Sequence, residues 1–230
     1  MKNRNIYFSI LCGVASLFTS CELDNYDAPN ASMSGGVYDM ETNELVRQDI
    51  VEGAQIEYIE HGYTNPQTQY QVIRNDGTFR NNLMFAGTYT MHLRRGNFVP
   101  VDEFEVKIGK GHKEINFSVM PFIRIKNVKI EKGAGRIVAE FNMEQTVPNK
   151  IAKIALYAHQ DPSVGYSSNT ASVEKAINAV ADENMVYKLE LAIDEKFIEG
   201  RQYYFIIGAL IDAPAAEAKP NYAAPVRIEI

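Results

Sequence analysis

Between residues 35 and 119 the chain alternates polar and apolar side chains in short runs, and this period of two constrains the fold most strongly. In one run, Thr88 and Thr90 alternate with Tyr89 and Met91. Successive side chains of a strand point to opposite faces of a sheet, so such runs bury one face and leave the other in water. The pattern predicts antiparallel strands near 35–39, 54–60, 69–73, 78–82, 87–94, 102–108 and 113–119.

The alternation resumes after Met120-Pro121-Phe122, where proline interrupts it because proline cannot donate a hydrogen bond to a sheet. Strands are predicted near 123–132, 135–142, 151–159, 185–192, 202–210 and 225–230. About 200 residues exceed the usual size of one domain. We therefore expect an all-β protein of two tandem antiparallel β-sandwiches, residues 35–120 and 121–230.

One segment of the second domain departs from the strand pattern. Ser172 can cap a helix over 173–181, in which Val173, Ile177 and Val180 would share one face. The sequence thus predicts one short helix, 172–181, inserted in the second sandwich. An insertion of this kind either plugs one end of the sandwich or has a function of its own.

The first 20 residues have the parts of a secretory signal peptide. Lys2 and Arg4 precede an apolar segment, 6–18, which is shorter than the roughly 20 residues that a membrane-spanning helix needs. Leu17-Phe18-Thr19-Ser20-Cys21 resembles a lipobox, which implies that Cys21 is acylated and anchors the protein in a membrane. Phe18 stands where that pattern has leucine, and cleavage of an ordinary secreted protein nearby is the alternative.

Residues 21–34 are predicted to form an acidic, flexible tether, because they are rich in Asn, Asp, Ser and Pro. Glu22, Asp24 and Asp27 resemble the surface-export signal of Bacteroidetes lipoproteins. That resemblance implies an outer-membrane location facing the cell exterior. The alternative is a solvated tether with no signal function.

Two further resemblances concern the domains. Asp76-Gly77-Thr78-Phe79 and Ala86-Gly87-Thr88-Tyr89 resemble signals of the carboxypeptidase regulatory-like (transthyretin-like) domain. The family's glycine before glutamate is replaced by Asn43, which also tolerates a left-handed backbone. Gly200-Arg201-Gln202-Tyr203-Tyr204-Phe205 resembles a strand of fibronectin type III modules. This implies that Tyr203 is a buried corner tyrosine whose hydroxyl bonds upstream backbone.

Charge and cysteine content exclude several functions. Removal of Lys2 and Arg4 with the signal lowers the basic residues from 23 to 21 against 29 acidic ones, a formal net charge of −8. Nucleic acid is therefore not an expected partner. Cys12 leaves with the signal too, so Cys21 is the single cysteine of the mature chain, which excludes intrachain disulfides and a cysteine-based metal site.

The sequence predicts no enzyme, cofactor or metal site. His61, His92, His112 and His159 lack the spacing of a metal site, and no serine-hydrolase or phosphate-binding motif is present. A glycosidase needs two carboxylates about 5–10 Å apart. The neighbouring acidic residues, such as Asp102 with Glu103, are interpreted as solvated charges, and a cryptic enzyme is kept as a third hypothesis.

Aromatic residues in polar loops are the candidate ligand contacts. Tyr63 lies in such a loop, and Tyr166 lies in another together with Asn169. Loops carry binding residues disproportionately, and sugar rings pack on aromatic faces. Each tyrosine could equally fold back on its own domain.

Together these features resemble a two-domain Bacteroidetes outer-membrane lipoprotein family of unknown function from glycan-utilisation loci. The resemblance implies a non-catalytic cell-surface accessory of glycan capture that binds a polysaccharide or oligosaccharide. Its expected neighbours are a TonB-dependent transporter and a substrate-capturing lipoprotein. The alternative is a structural spacer or docking partner of that transporter complex, since a fold alone does not define a function.

Overall fold

The computed structural model describes residues 27–230, so the predicted signal peptide, Cys21, Glu22 and Asp24 lie outside the described residues. Strands are the main regular elements of the described chain, with almost no helix, which confirms the predicted all-β fold. The strands are β1 Ala31–Asp39, β2 Gln55–Glu60, β3 Thr68–Val72, β4 Thr78–Met84, β5 Gly87–Arg94, β6 Phe104–Ile108, β7 Gly111–Glu114, β8 Phe117–Val119, β9 Ile123–Gly133, β10 Arg136–Gln145, β11 Ile151–His159, β12 Ala171–Ala179, β13 Tyr187–Ala192, β14 Gln202–Ile211, β15 Asn221–Tyr222 and β16 Val226–Glu229. A single 3-10 turn, Pro214–Ala216, is the helical element among them.

The first domain packs two sheets against one another. One has the order β4-β1-β7 with β8 also on β1, and the other has the order β3-β2-β5-β6. Their facing sides form one core around Met33, Ile56, Phe79, Tyr89 and Met91, all of which are almost fully buried. β7 and β8 run parallel to β1. The prediction of an antiparallel sandwich is therefore wrong for these two strands.

The second domain also packs two sheets, β13-β10-β9 and β12-β11-β14-β15, with β16 on β14. Its core includes Ile137, Phe141, Leu156, Tyr203 and Phe205. The Tyr203 ring is fully buried, and its hydroxyl accepts a hydrogen bond from the Ile198 backbone N–H at 3.0 Å. The expected corner tyrosine is therefore confirmed.

The predicted helix 172–181 is wrong, because this segment forms β12 and pairs antiparallel with β11. Val173 and Ile177 are four residues apart, a spacing that places them on one face of a strand as well as of a helix. A left-handed residue, Asn178 at φ 53°, then breaks the alternation before Val180. The backbone hydrogen bonds that β12 makes with β11 thus outweigh a weak local helix preference, since short helices are marginally stable on their own.

Two local predictions need adjustment and two hold. β1 begins at Ala31, so residues 31–34 of the predicted tether 21–34 belong to a strand with Ala31 and Met33 buried. The Asp76-Gly77 pair predicts a tight hairpin turn with positive φ. Gly77 does have a positive φ, 91°, but the turn joins β3 and β4 of different sheets and is not a hairpin. Asn43 does adopt a left-handed backbone, φ 58°.

A buried polar seam joins the two domains. The Arg124 guanidinium of β9 binds the Asp39 carboxylate of β1 through two hydrogen bonds of 2.5 and 2.9 Å. The Asn97 side chain, fully buried, donates to the Arg47 and Pro220 carbonyls and accepts from Gln48. No buried side-chain nitrogen or oxygen of the described residues lacks a partner. Because these bonds are desolvated and saturated, they fix how the domains meet.

Candidate functional site

The Tyr166 loop, residues 160–170, joins β11 to β12 and folds over the outer face of its own sheet. Val164 is buried there in a small apolar cluster with Ala155, Tyr157 and Ile206. This cluster is separate from the main core of the domain. The sheet therefore has an apolar outer face at this place, and the loop covers it.

Tyr166 is the part of this loop that stays in solvent, with half of its surface (50%) exposed. Its ring meets Tyr157 edge-on at a centroid distance of 6.5 Å, and the Lys153 ammonium lies 5.3 Å from its centroid. The Tyr222 hydroxyl accepts a hydrogen bond from the Tyr166 backbone N–H at 3.1 Å. The ring is thus held at a fixed place by its neighbours while a large part of it remains free.

Asp49 of the first domain holds this loop from the other side of the seam. One carboxylate oxygen accepts the Ser167 N–H at 2.9 Å, and the other accepts the N–H groups of Val51 and Glu52, both at 2.9 Å. A Cβ on Gly165 would lie 2.9 Å from the same carboxylate, so a larger residue here would displace it. Although burial raises the pKa of Asp49, these N–H donors hold it below its usual value.

The lowered pKa predicts that acid releases the Tyr166 loop. A carboxyl with a depressed folded pKa stabilises the fold above its unfolded pKa, and this contribution is lost as pH falls through the folded value. We expect the near-ultraviolet circular dichroism of the packed tyrosines to decline below about pH 4. Asp49→Asn should remove that transition. Glu190→Gln, which alters another carboxyl of lowered pKa on β13 of the opposite sheet, should keep it; an unchanged transition in Asp49→Asn would contradict the assignment.

Beside Tyr166 the seam forms a hollow of about 190 Å³. Its lining comprises Glu52, Lys153, Tyr166, Leu210, Ala218, Lys219 and Pro220. The Glu52 carboxylate accepts a hydrogen bond from the Lys219 ammonium at 3.3 Å and lies 3.8 Å from the Arg95 guanidinium. The hollow therefore combines one aromatic ring with charged donors and an acceptor whose positions are fixed by ion pairs.

The hollow continues along the seam. A second hollow of about 450 Å³ shares Leu210, Ala218 and Lys219 with the first, and a third of about 240 Å³ shares Arg94, Arg95 and Glu217 with the second. We call this continuous depression the seam groove. Its floor is fixed where the Lys219 N–H donates to the Gly96 carbonyl at 2.8 Å.

Two residues of the seam groove have a strained backbone. Arg95 and Glu217 adopt left-handed φ angles of 43° and 48°, and the other non-glycine residues of this kind in the described chain are asparagines. Arg95 is held there because its guanidinium donates to the Gly53 and Val51 carbonyls. Left-handed backbone costs about 1–3 kcal/mol for such residues and is concentrated at functional sites.

The other predicted contacts lie in different places. Asn169 uses its amide nitrogen to donate to the Gly165 and Tyr166 carbonyls at 3.1 and 3.0 Å, so it braces the Tyr166 loop. Tyr63, 61% exposed, follows the end of β2 that pairs with Tyr89, whereas the other end pairs with Arg94 of the seam groove. Tyr63 and Tyr166 are therefore separated by roughly the length of β5, about 25 Å.

Sequence reasoning missed Asp49, Glu52, Lys153 and Lys219. The sequence 49–53 does contain an aspartate followed by glycine four residues later, which is a turn signal. Nothing in it indicates that the turn meets a loop more than 100 residues away. Long-range contacts of this kind depend on the packing of the two domains.

Another depression of the seam, outside the seam groove, is occupied by ion pairs of the protein itself. It lies around Arg124, whose guanidinium is already bound by Asp39, Glu41 and Glu144. Three carboxylates thus occupy the donors of this guanidinium, so Arg124 is not available to a ligand. Within residues 27–230, no group of three or more histidine, cysteine or acidic side chains is placed to hold a metal ion.

The chain has the architecture of a two-domain, all-β family, and comparison with known proteins identifies that family. Models described as "Protein of unknown function (DUF3823) N-terminal domain" and "Domain of unknown function (DUF3823_C)" match residues 31–120 and 123–227. The chain belongs to the DUF3823 family. This confirms the expected membership of a two-domain family of unknown function.

Solved structures of Bacteroides and Parabacteroides proteins have the same architecture. A "putative carbohydrate binding protein" from Bacteroides uniformis is 32% identical, with a TM-score of 0.79 over 88% of this chain and 100% of that one. A DUF3823 family protein from Parabacteroides merdae is 22% identical, with a TM-score of 0.75 over the same shares. No curated protein matches the chain. No helix among residues 27–230 is long and apolar enough to cross a membrane.

Proposed function

We propose that the protein binds carbohydrate, without cleaving it, in the seam groove beside Tyr166. The observation that carries this proposal is the Tyr166 ring, which is held by Tyr157 and Lys153 yet remains half exposed at the edge of a charged hollow. An apolar sugar face can pack on such a ring, while hydroxyl groups at the sugar edge need fixed donors and acceptors. The description of the Bacteroides uniformis relative supports the same class of ligand.

The charges of the hollow favour a neutral sugar. Lys219 and Arg95 flank Glu52, and Lys153 is paired with Glu174 at 2.7 Å, so each cation has an acidic partner. A carboxylate or sulfate on the ligand would have to compete with these pairs. Hydroxyl groups can instead accept from the cations and donate to Glu52 without separating them.

The size of the groove favours an oligosaccharide. Pockets for drug-sized ligands usually measure about 300–1,000 Å³. The hollow beside Tyr166, about 190 Å³, is smaller than this and suits one sugar ring. The adjoining hollow of about 450 Å³ can accept the neighbouring rings of the same chain.

Glu52 is the single carboxylate that the described residues contribute to the hollow beside Tyr166. Glycoside hydrolysis uses a pair of carboxyl groups, one of which must donate a proton. Glu52 instead lies against two cations, Lys219 at 3.3 Å and Arg95 at 3.8 Å, and no second carboxyl of the described chain lines this hollow. The hollow beside Tyr166, with one carboxylate, therefore supports binding rather than hydrolysis; Asp212 and Glu217 line the adjoining hollow.

Native gel electrophoresis through embedded polysaccharides tests the proposal. The panel should contain starch, xylan, galactomannan, laminarin, arabinan and pectin. Retardation by at least one neutral polysaccharide is expected, with no release of reducing ends. Free migration through every gel would contradict the proposal, and co-purification with a transporter complex in that case would favour the spacer or docking function.

We further propose that Cys21 carries the lipid anchor of a surface lipoprotein that works beside a TonB-dependent transporter and its capture lipoprotein. Two or more acyl chains at one cysteine give stable membrane attachment. Cys21→Ala should therefore move the protein from the detergent phase to the aqueous phase in Triton X-114 extraction of cells. A Ser20→Ala variant, which keeps a small residue before the cysteine, should stay in the detergent phase. Membrane retention of Cys21→Ala would contradict the anchor.

A further inference from the structure

The chain enters the first domain at a fixed point. The Asn30 carbonyl accepts the Gly111 N–H at 2.9 Å, and the Asn30 side-chain oxygen accepts the Ala86 N–H at 2.9 Å. Asn30 is therefore clamped between the turn that joins β4 to β5 and the turn that joins β6 to β7. Residues 27–30 therefore enter the domain at this end.

The strand pairing shows which segments share this end of the domain. Ala31 pairs with Met84 and with Gly111, and Ile108 pairs with Gly87. The loop 61–67 belongs to the same end, because the His61 N–H donates to the Thr88 carbonyl at 2.9 Å. We call this set, the loop 61–67 with the turns 83–87 and 109–111, the entry end. The seam with the second domain lies at the opposite end of these strands.

The entry end carries three exposed apolar or aromatic side chains. Leu83 is 77% exposed, more than any other large hydrophobic residue of the described chain, and Tyr63 and Phe85 are 61% and 38% exposed. The pairing of β1 with β4 shifts register between Ala31 and Met33, opposite Leu83. A bulge of this kind re-aims side chains, and here it leaves Leu83 in solvent beside the buried Met84.

The length of the preceding chain determines what this surface can meet. Nine peptide units separate Cys21 from Asn30. They reach about 30 Å when fully extended and about 17 Å on average as a flexible chain. An anchor at Cys21 therefore holds the entry end, and not the second domain, against the bilayer surface.

We propose that the entry end is a membrane-contact surface, in which Leu83, Phe85 and Tyr63 enter the interfacial region of the lipid. This inference rests on the proposed attachment at Cys21. Apolar side chains and a tyrosine at the same level are suited to the boundary between headgroups and acyl chains. The contact orients the protein so that the seam groove points away from the membrane, where a polysaccharide can reach it.

The experiment uses Cys21 as the single thiol of the chain 21–230. Coupling of this thiol to a maleimide lipid in vesicles of phosphatidylethanolamine and phosphatidylglycerol replaces the natural anchor. Amide hydrogen exchange is then compared between coupled and free protein. We expect exchange in 61–67, 83–87 and 109–111 to slow by about tenfold on vesicles, with the second domain unchanged.

Two variants separate membrane contact from a change in folding. The double variant Leu83→Ser with Phe85→Ser should lose this protection and keep the melting temperature of the free protein. Ile198→Ser is the matched control, because Ile198 is 55% exposed but belongs to the second domain. It should retain the protection.

Three results would overturn the proposal: no protection of the coupled protein, protection centred on the second domain, or protection that appears only when vesicles are densely coupled. The last result would assign the surface to a second copy of the chain. Because the coupling is chemical and no glycan is present, failure here is distinguishable from failure of acylation in cells or of carbohydrate binding.

Discussion

Replacing Tyr166 with alanine should weaken the affinity for a retained oligosaccharide by about 30-fold or more, the usual effect of losing a central aromatic contact. The ring is half exposed, and its contacts with Tyr157 and Lys153 hold it in place before any ligand arrives. The ligand then pays little for ordering it. Isothermal titration calorimetry of the variant against the wild type measures the loss.

Tyr63→Ala is the matched control for this prediction. Tyr63 is also an exposed loop tyrosine, but it lies at the other end of the first domain. Its loss should leave the affinity within about twofold, because surface substitutions away from a site change binding or stability little. Equal losses in the two variants, or a loss confined to Tyr63→Ala, would contradict the assignment of the site to the seam groove.

Arg124→Ala should destabilise the protein by about 3–5 kcal/mol, since it leaves a buried charge without its partner. Asp39 and the Arg124 side chain are both buried, and Arg124 donates two hydrogen bonds to Asp39 across the seam. Although burial raises the pKa of Asp39, the Arg124 guanidinium lowers it below its usual value, so the carboxylate is charged at neutral pH. In thermal unfolding the melting temperature should fall by at least about 6 °C.

Arg136→Ala provides the comparison within the same domain. Arg136 also pairs with a carboxylate, Glu190, at 2.7 Å, but both side chains are largely exposed. Exposed ion pairs contribute about 0–1 kcal/mol because solvent screens them. If both arginine variants lowered the melting temperature equally, the Asp39–Arg124 pair would not be what holds the domains together.

Much of the fold could be predicted from the sequence because its signals are local. The alternation of Thr88 to Leu93 gives β5, and the residues around Tyr203 predict a buried corner tyrosine that the structure confirms. The helix over 172–181 fails for a physical reason. Val173 and Ile177 fit both periods, and the pairing with β11 that decides between them is a long-range contact.

The candidate site could be predicted only in part. A tyrosine in a polar loop marks Tyr166, but the same signal marks Tyr63, which the fold places far away. The difference arises from Asp49, which fixes the Tyr166 loop through the Ser167 N–H. That bond joins residues 118 positions apart in the chain, so no local pattern records it.

Amide hydrogen exchange with and without a retained oligosaccharide tests the central assignment most directly. We expect slower exchange in the Tyr166 loop and in 210–220, two of the segments that border the seam groove, with 61–67 unchanged. The Tyr166→Ala variant should show no such protection at the same oligosaccharide concentration. Protection confined to 61–67, or none in the presence of any retained glycan, would contradict carbohydrate binding in the seam groove.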